Sequence, residues 1–132
     1  MKSLLAGMLA GGLLLGTASA QAHHSFAAIY DARAPVTITG KVTSVEWSNP
    51  HARFYVDVKN DDGGVDRWEC ELASPSGLMR IGWNRKALTA DDEVTVEGFA
   101  ARDGSHRLNT HSITRGDGTK LYSGDRAPGG LE

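Results

Sequence analysis

The sequence predicts a mainly β domain: a small five-stranded, OB-like barrel with one short helix between strands 3 and 4. Three observations predict it. Apolar and polar residues alternate in most segments after residue 35, turns rich in Gly, Asp and Asn separate these segments, and the first segment changes phase. A change of phase by one residue indicates a β-bulge, which bends and twists a strand as a small barrel requires. An open antiparallel sheet covered by one helix is the alternative.

The first predicted strand covers residues 36–48 and contains the phase change. Val36, Ile38 and Val42 share one face, whereas Val45 and Trp47 continue the apolar pattern with the opposite parity. The sequence therefore predicts a bulge between Val42 and Val45.

The remaining elements follow in a regular order. Strands are predicted at 52–59, 65–72, 93–99 and 106–114, with a short edge strand at 120–122. Ser74 and Pro75 predict the start of a two-turn helix, with Ser74 as N-cap and Met79 on its apolar stripe. Leu108 and Ile113 differ in parity, which predicts a second irregularity.

The N-terminal segment predicts export. Lys2 precedes an apolar run, and small residues follow at 17–20, so residues 1–22 are predicted to be a cleaved signal peptide. Cleavage is expected after Ala20 or after Ala22. The predicted domain is then 23–122 with a flexible tail at 123–132, in the periplasm or secreted. No later segment is long enough to predict a membrane span.

Composition and motifs exclude several functional classes. The chain has 14 Lys and Arg against 16 Asp and Glu, so it lacks the basic surface that binds nucleic acid. It also lacks a nucleophile elbow, a phosphate loop and a Cys-x-x-Cys motif, and we predict that it is not an enzyme. The single Cys70 cannot form an internal disulfide and is expected to be a buried, inert thiol.

Several blocks together resemble a known family. They are His-His-Ser-Phe-Ala-Ala at 23–28, Val-Glu-Trp-Ser-Asn-Pro-His-Ala at 45–52, Ser-Pro-Ser at 74–76 and Gly-Trp at 82–83. This pattern resembles a family of small exported bacterial proteins catalogued as a domain of unknown function. The resemblance implies a small exported β-rich domain and brings no activity with it. His106 and His111 are not part of the family pattern.

Histidines close to the predicted cleavage sites suggest a metal site. Cleavage after Ala22 would give His23 a free amine beside its imidazole, which is a bidentate chelate for Cu(II), and His24 or His51 could add a second imidazole. Cleavage after Ala20 would put His23 third, where an amine, two amides and an imidazole form a square plane. We predict a site for copper or another transition metal at His23, His24 and His51. The alternative is that His23 and His24 are solvated or pack with Phe26.

The turn before the second strand suggests a different function. Trp47, Asn49 and His51 surround this turn and could dock an envelope protein or a small ligand without any metal. His51 could equally hold the local conformation by bonding a backbone carbonyl. Across the following hairpin, charged residues predict a solvated cross-strand ladder, with Arg67, Glu69 and Glu71 opposite Arg53, Asp57 and Lys59.

Overall fold

The computed structural model describes residues 26–123, and this part of the chain is mainly β, as predicted. Residues 26–29 are helical. The other elements are β1 (Tyr30–Glu46), β2 (Arg53–Lys59), β3 (Val65–Glu71), α1 (Pro75–Arg80), β4 (Glu93–Ala101), β5 (Arg107–Arg115) and β6 (Lys120–Ser123). Within the described residues, no helix combines the length and apolar character needed to cross a bilayer. The predicted signal peptide and most of the predicted tail lie outside the described residues.

Strand β1 is longer than predicted and bulged where predicted. Val42 pairs with Val56 and Ser44 with Tyr55, so Thr43 is the extra residue, and the phase change is confirmed as a bulge. The strand begins at Tyr30 rather than residue 36 because β4 supplies a partner as far as Ala101, with a register irregularity before Pro35.

Six strands form one sheet in the order β3-β2-β1-β4-β5-β6. Strands that are adjacent in this order pair in antiparallel fashion. In addition, β3 pairs with β5 in parallel, with Glu69 opposite Arg107 and Glu71 opposite Asn109. The pairings therefore run from β1 through β2, β3, β5 and β4 back to β1. Strand β6 adds to β5, in agreement with the predicted edge segment.

The core lies on the face where the alternation predicts it. Phe54, Val56 and Cys70 have no exposed surface, and Leu108 and Ile113 face them from β5. Trp83 is buried and donates from Nε1 to the Leu121 carbonyl oxygen at 2.9 Å. Burial of these apolar side chains is the main stabilising contribution, because the single cysteine of the described residues is free and forms no disulfide.

Helix α1 begins as predicted but presents a different face. Ser74 is the N-cap, and its hydroxyl accepts a hydrogen bond from the Gly77 amide at 3.2 Å. Leu78 is fully buried, whereas Met79 is 57 % exposed, so the prediction that Met79 lies on the apolar face is wrong. A six-residue helix buries only one narrow stripe, and the neighbouring position turns outward.

Candidate functional site

The described chain begins two positions after the predicted histidine pair. His23 and His24 lie outside the described residues, and Phe26 follows His24 by two positions. Phe26 packs on Tyr30 with ring centroids 5.5 Å apart and edge-on against Phe99 at 6.2 Å. Arg102 Nε donates to the carbonyl oxygens of Ala27, at 2.7 Å, and Tyr30, at 3.1 Å. The start of the described chain is therefore attached to β4 and its following loop.

Tyr30 extends this attachment to β3 and β5. Its hydroxyl donates to Glu71 Oε2 at 2.8 Å, and an Arg107 guanidinium nitrogen donates to the same oxygen at 3.3 Å. The Arg107 guanidinium also lies 5.6 Å from the Tyr30 ring centroid. Burial, followed by the bond to Glu71, raises the pKa of the Tyr30 hydroxyl. Glu71 is only 8 % exposed, so the prediction that it belongs to a solvated ladder is wrong.

Four other residues of the predicted ladder form ion pairs across β2 and β3, namely Arg53 with Glu69 and Asp57 with Arg67, whereas Lys59 lies opposite Val65. Asp57 pairs with Arg67, and Arg67 Nε lies 2.8 Å from Asp57 Oδ1. The hydrogen bonds from Arg67 hold the pKa of the Asp57 carboxyl below its usual value. Glu69 lies between two arginines, with its Oε1 3.1 Å from Arg53 Nε and 3.2 Å from Arg107 Nε. Neither Nε is aligned for a hydrogen bond, so these contacts are ionic.

His51 lies after the turn between β1 and β2. The Asn49–Pro50 peptide bond is cis, and Asn49, Pro50 and His51 are all exposed. His51 Nδ1 lies 3.1 Å from the Leu72 carbonyl oxygen. Because a carbonyl only accepts, Nδ1 carries the proton in this bond, and in the neutral ring Nε2 then has a free lone pair.

The three predicted surface residues do not have equal exposure. Trp47 is partly buried and packs against the core, whereas Asn49 and His51 are exposed beside it. All three tryptophans contribute to packing, since Trp83 is buried and Trp47 and Trp68 pack against the core.

Cys70 is a free, fully buried thiol, as predicted. Burial raises its pKa and so disfavours the thiolate, which is the form that acts as a nucleophile or a metal ligand. Between residues 26 and 123, no three His, Cys, Asp or Glu side chains are grouped to hold a metal ion.

His111, to which the sequence assigned no role, lies against Phe99, the ring on which Phe26 also packs. Glu97 pairs with Ser112 and Gly98 with Thr110, which leaves His111 as the extra residue of a bulge in β5. Its ring packs against Phe99 at 6.2 Å. The parity difference between Leu108 and Ile113 predicted the irregularity, but only the folded chain shows what His111 contacts.

His106 occupies different surroundings. It stacks on Trp68 at 4.9 Å, and its Nε2 lies 3.9 Å from Asp66 Oδ2. Its side chain is 48 % exposed.

Residues 12–110 match DUF6152, described as a family of unknown function. The chain belongs to this family. The matched range includes the block at 23–28, the turn with Trp47, Asn49 and His51, and the α1 region, which are the segments that carry the resemblance. Comparison with curated proteins finds no match. Membership of DUF6152 therefore supports the predicted family and assigns no activity.

Proposed function

We propose that this DUF6152 protein is an exported, non-catalytic metal-binding protein that holds Cu(II) through His23 and His24, with His51 as a further imidazole ligand. Its role would be to sequester, deliver or sense the metal. The observation that carries the proposal is the orientation of His51.

A histidine that ligates a metal generally donates its other ring nitrogen to a carbonyl or carboxylate. The bond from Nδ1 to the Leu72 carbonyl gives His51 this arrangement, and the exposure of the ring leaves Nε2 accessible. Imidazole nitrogen is a preferred ligand of Cu(II), whose square-planar sites also accept a terminal amine.

The attachment of the N-terminal segment also supports the proposal. Tyr30 bonds Glu71, and Glu71 directly precedes Leu72, the residue that holds His51. Tyr30, which follows His24 by six positions in the sequence, and His51 are thus bonded to the consecutive residues Glu71 and Leu72 at the end of β3.

The same proposal includes the finer organisation of the chain. The closed series of pairings through β1, β2, β3, β5 and β4 supports a five-stranded OB-like barrel, with β6 added at one side. The sequence supports a signal peptide at 1–22, a domain at 23–122, a tail at 123–132 and a periplasmic or secreted location.

Copper binding is tested with protein recovered from the envelope and titrated with Cu(II) against a competing chelator. We expect one tightly held copper in the wild type, none in the His23→Ala/His24→Ala double variant, and a weaker site in His51→Gln. His106→Gln is the matched control, because it removes an exposed imidazole that stacks on Trp68 and to which the proposal assigns no ligand role. Unchanged affinity in the double variant would show that the N-terminal histidines are not the ligands.

A metal-free interaction module is the second proposal. The observation in its favour is the exposed Asn49–His51 turn beside the partly buried Trp47, which could dock an envelope protein or a small ligand. His51→Ala or Trp47→Ala would then reduce partner recovery from envelope extracts, whereas the double variant at His23 and His24 would not. Recovery that survives both barrel variants would reject this proposal.

A further inference from the structure

The segment that follows α1 differs in charge from the rest of the chain. It contains Arg80, Arg85 and Lys86, and all three side chains are exposed. From residue 72 to residue 90 the sequence has no Asp or Glu. The whole chain has more acidic than basic side chains, 16 Asp and Glu against 14 Lys and Arg, so this positive charge is local.

These cations also differ from the other arginines in their partners. Among residues 26–123, Arg80 and Arg85 are the two arginines with no carboxylate within 4 Å, and Lys86 has none either. The arginines that do form ion pairs are Arg33, Arg53, Arg67, Arg102, Arg107 and Arg115. No described side chain therefore neutralises the charge of this segment.

The end of α1 presents Met79 and Arg80 outward. The Gly82 amide donates to the Met79 carbonyl oxygen at 3.1 Å, and Gly82 has a φ of 91°. The Trp83 amide donates to the Leu78 carbonyl oxygen at 3.0 Å, which completes a Schellman motif. Leu78 and Trp83 are buried, so they fix the last turn of α1 to the core and leave Met79 and Arg80 exposed.

A tight turn presents the other two cations. The Ala87 amide donates to the Asn84 carbonyl oxygen at 3.0 Å, so Arg85 and Lys86 occupy the two central positions of a β-turn. The Asn84 side chain accepts from the Lys86 amide at 2.8 Å and fixes the same turn. Leu88 is buried directly after it. The three cations thus lie within seven residues of chain on two consecutive compact turns.

Met79 adds an apolar side chain to this surface. Met79 and Val65 are equally exposed, at 57 % each. Val65 follows Asp61 and Asp62 on the β2–β3 hairpin, whereas Met79 is next to Arg80 in a segment without carboxylates. The head groups of an anionic bilayer attract cations, and its interface accepts a flexible apolar side chain together with the methylene stems of Arg and Lys.

We propose that the α1 patch, formed by Met79, Arg80, Arg85 and Lys86, docks reversibly on a bilayer of anionic phospholipids. An acidic protein would need carboxylates placed to match these cations, whereas mobile lipid phosphates can match any arrangement. The predicted export would bring the chain close to such a bilayer. The inference is independent of the copper proposal, because it uses none of the proposed metal ligands.

Vesicle sedimentation tests the proposal with copper-free protein recovered from the envelope. The vesicles contain phosphatidylglycerol and phosphatidylcholine in equal amounts, with pure phosphatidylcholine vesicles in parallel. We expect binding to the anionic vesicles alone, and loss of binding in about 1 M salt, where screening extends over only about 3 Å. Arg85→Gln/Lys86→Gln should weaken binding about 30-fold, since each cation near such a surface contributes about 1 kcal/mol.

A matched pair of variants separates the α1 patch from surface charge in general. Met79→Ser/Arg80→Gln removes one exposed apolar side chain and one cation from the patch, and we expect it to weaken binding at least about fivefold. Lys59→Gln/Val65→Ser removes the same two kinds of side chain from the β2–β3 hairpin, where Lys59 lies opposite Val65, and should bind like the wild type. Equal losses in the two variants would overturn the proposal.

A measurement on the wild type needs no variant. Anionic vesicles that contain a nitroxide-labelled lipid attenuate the NMR resonances of nuclei close to the bilayer. We expect the strongest attenuation at residues 79–86 and little at the 60–64 hairpin turn. Attenuation that is strongest elsewhere, equal binding to both kinds of vesicle, or no binding to the anionic ones would overturn the proposal. Binding to poly-glutamate but not to the vesicles would overturn it in favour of an acidic protein partner.

Discussion

The hydrogen bond between Tyr30 and Glu71 fastens the N-terminal segment to the rest of the fold, and Tyr30→Phe removes it alone. Tyr30 is 1 % exposed, and its hydroxyl lies 2.8 Å from Glu71 Oε2. A hydrogen bond to a charged group contributes about 1.5–3 kcal/mol. Glu71 keeps Arg107 as a donor at 3.3 Å, so the loss should lie in the lower half of that range, at about 2 kcal/mol.

Urea unfolding of Tyr30→Phe, with the wild type in parallel, measures this loss. For a domain of this size, about 2 kcal/mol corresponds to a fall in Tm of roughly 10 °C. Tyr55→Phe is the matched control, because the Tyr55 hydroxyl donates to Glu46 Oε1 at 3.3 Å on an exposed surface and should contribute less than about 0.5 kcal/mol. Equal losses in the two variants would show that the buried Tyr30–Glu71 bond stabilises the fold no more than the exposed bond of Tyr55.

The pH dependence provides a second measure of the same contact. The Tyr30 pKa is raised in the folded state, so the unfolded chain loses this proton near pH 10 while the folded chain keeps it. The contribution to stability is therefore complete below about pH 10 and decreases as the pH rises above it. Tyr30→Phe should show a shallower alkaline decline than the wild type, and identical declines would contradict the shifted pKa.

Three further results are expected. The Cys70 thiol should react with a disulfide reagent only on unfolding, because burial raises its pKa and excludes solvent; rapid reaction in native buffer would contradict this. Gly98→Ala should lower the free energy of unfolding by more than about 2 kcal/mol in urea, since a Cβ would overlap the Asn109 carbonyl oxygen; wild-type stability would refute this close approach. Arg67→Gln should raise the Asp57 pKa toward its ordinary value in an NMR titration, and an unchanged pKa would refute the pairing. Because this pKa is lowered in the folded state, Asp57 stabilises the fold at pH values above its unfolded-state pKa. The stabilisation is lost as the pH falls through its folded-state pKa.

Local pattern predicted the elements that depend on local chemistry. The phase change between Val42 and Val45 located the β1 bulge, and Ser74 with Pro75 located the start of α1. Both signals depend on residues a few positions apart, so they can be read from the sequence without knowledge of the tertiary contacts. The alternation over residues 52–59 likewise predicted β2, in which Phe54 is fully buried.

The errors came from contacts between distant parts of the chain. Glu71 has the parity of a solvated residue, and Tyr30 covers it from 41 positions away. The first strand extends back to Tyr30 because β4 is long enough to pair with it. Met79 faces outward because six residues give too little periodicity to fix which side of a helix is buried.

In the candidate site, too, the sequence predicted some features and only the folded chain shows the others. The sequence named His51 from its place after the Asn49–Pro50 turn, and the fold supplies the Leu72 carbonyl that orients its ring. His111 carried no sequence signal beyond an irregular parity, because its packing against Phe99 is formed only in the folded chain.

Intact mass of the protein recovered from the envelope, sprayed under native conditions with and without Cu(II), tests the central claim most directly. It reports the N-terminus and any bound metal together. We expect a chain that begins at His23, or at an uncyclised Gln21, and retains one copper against a competing chelator. A metal-free mass with only weak, non-stoichiometric adducts would contradict this expectation.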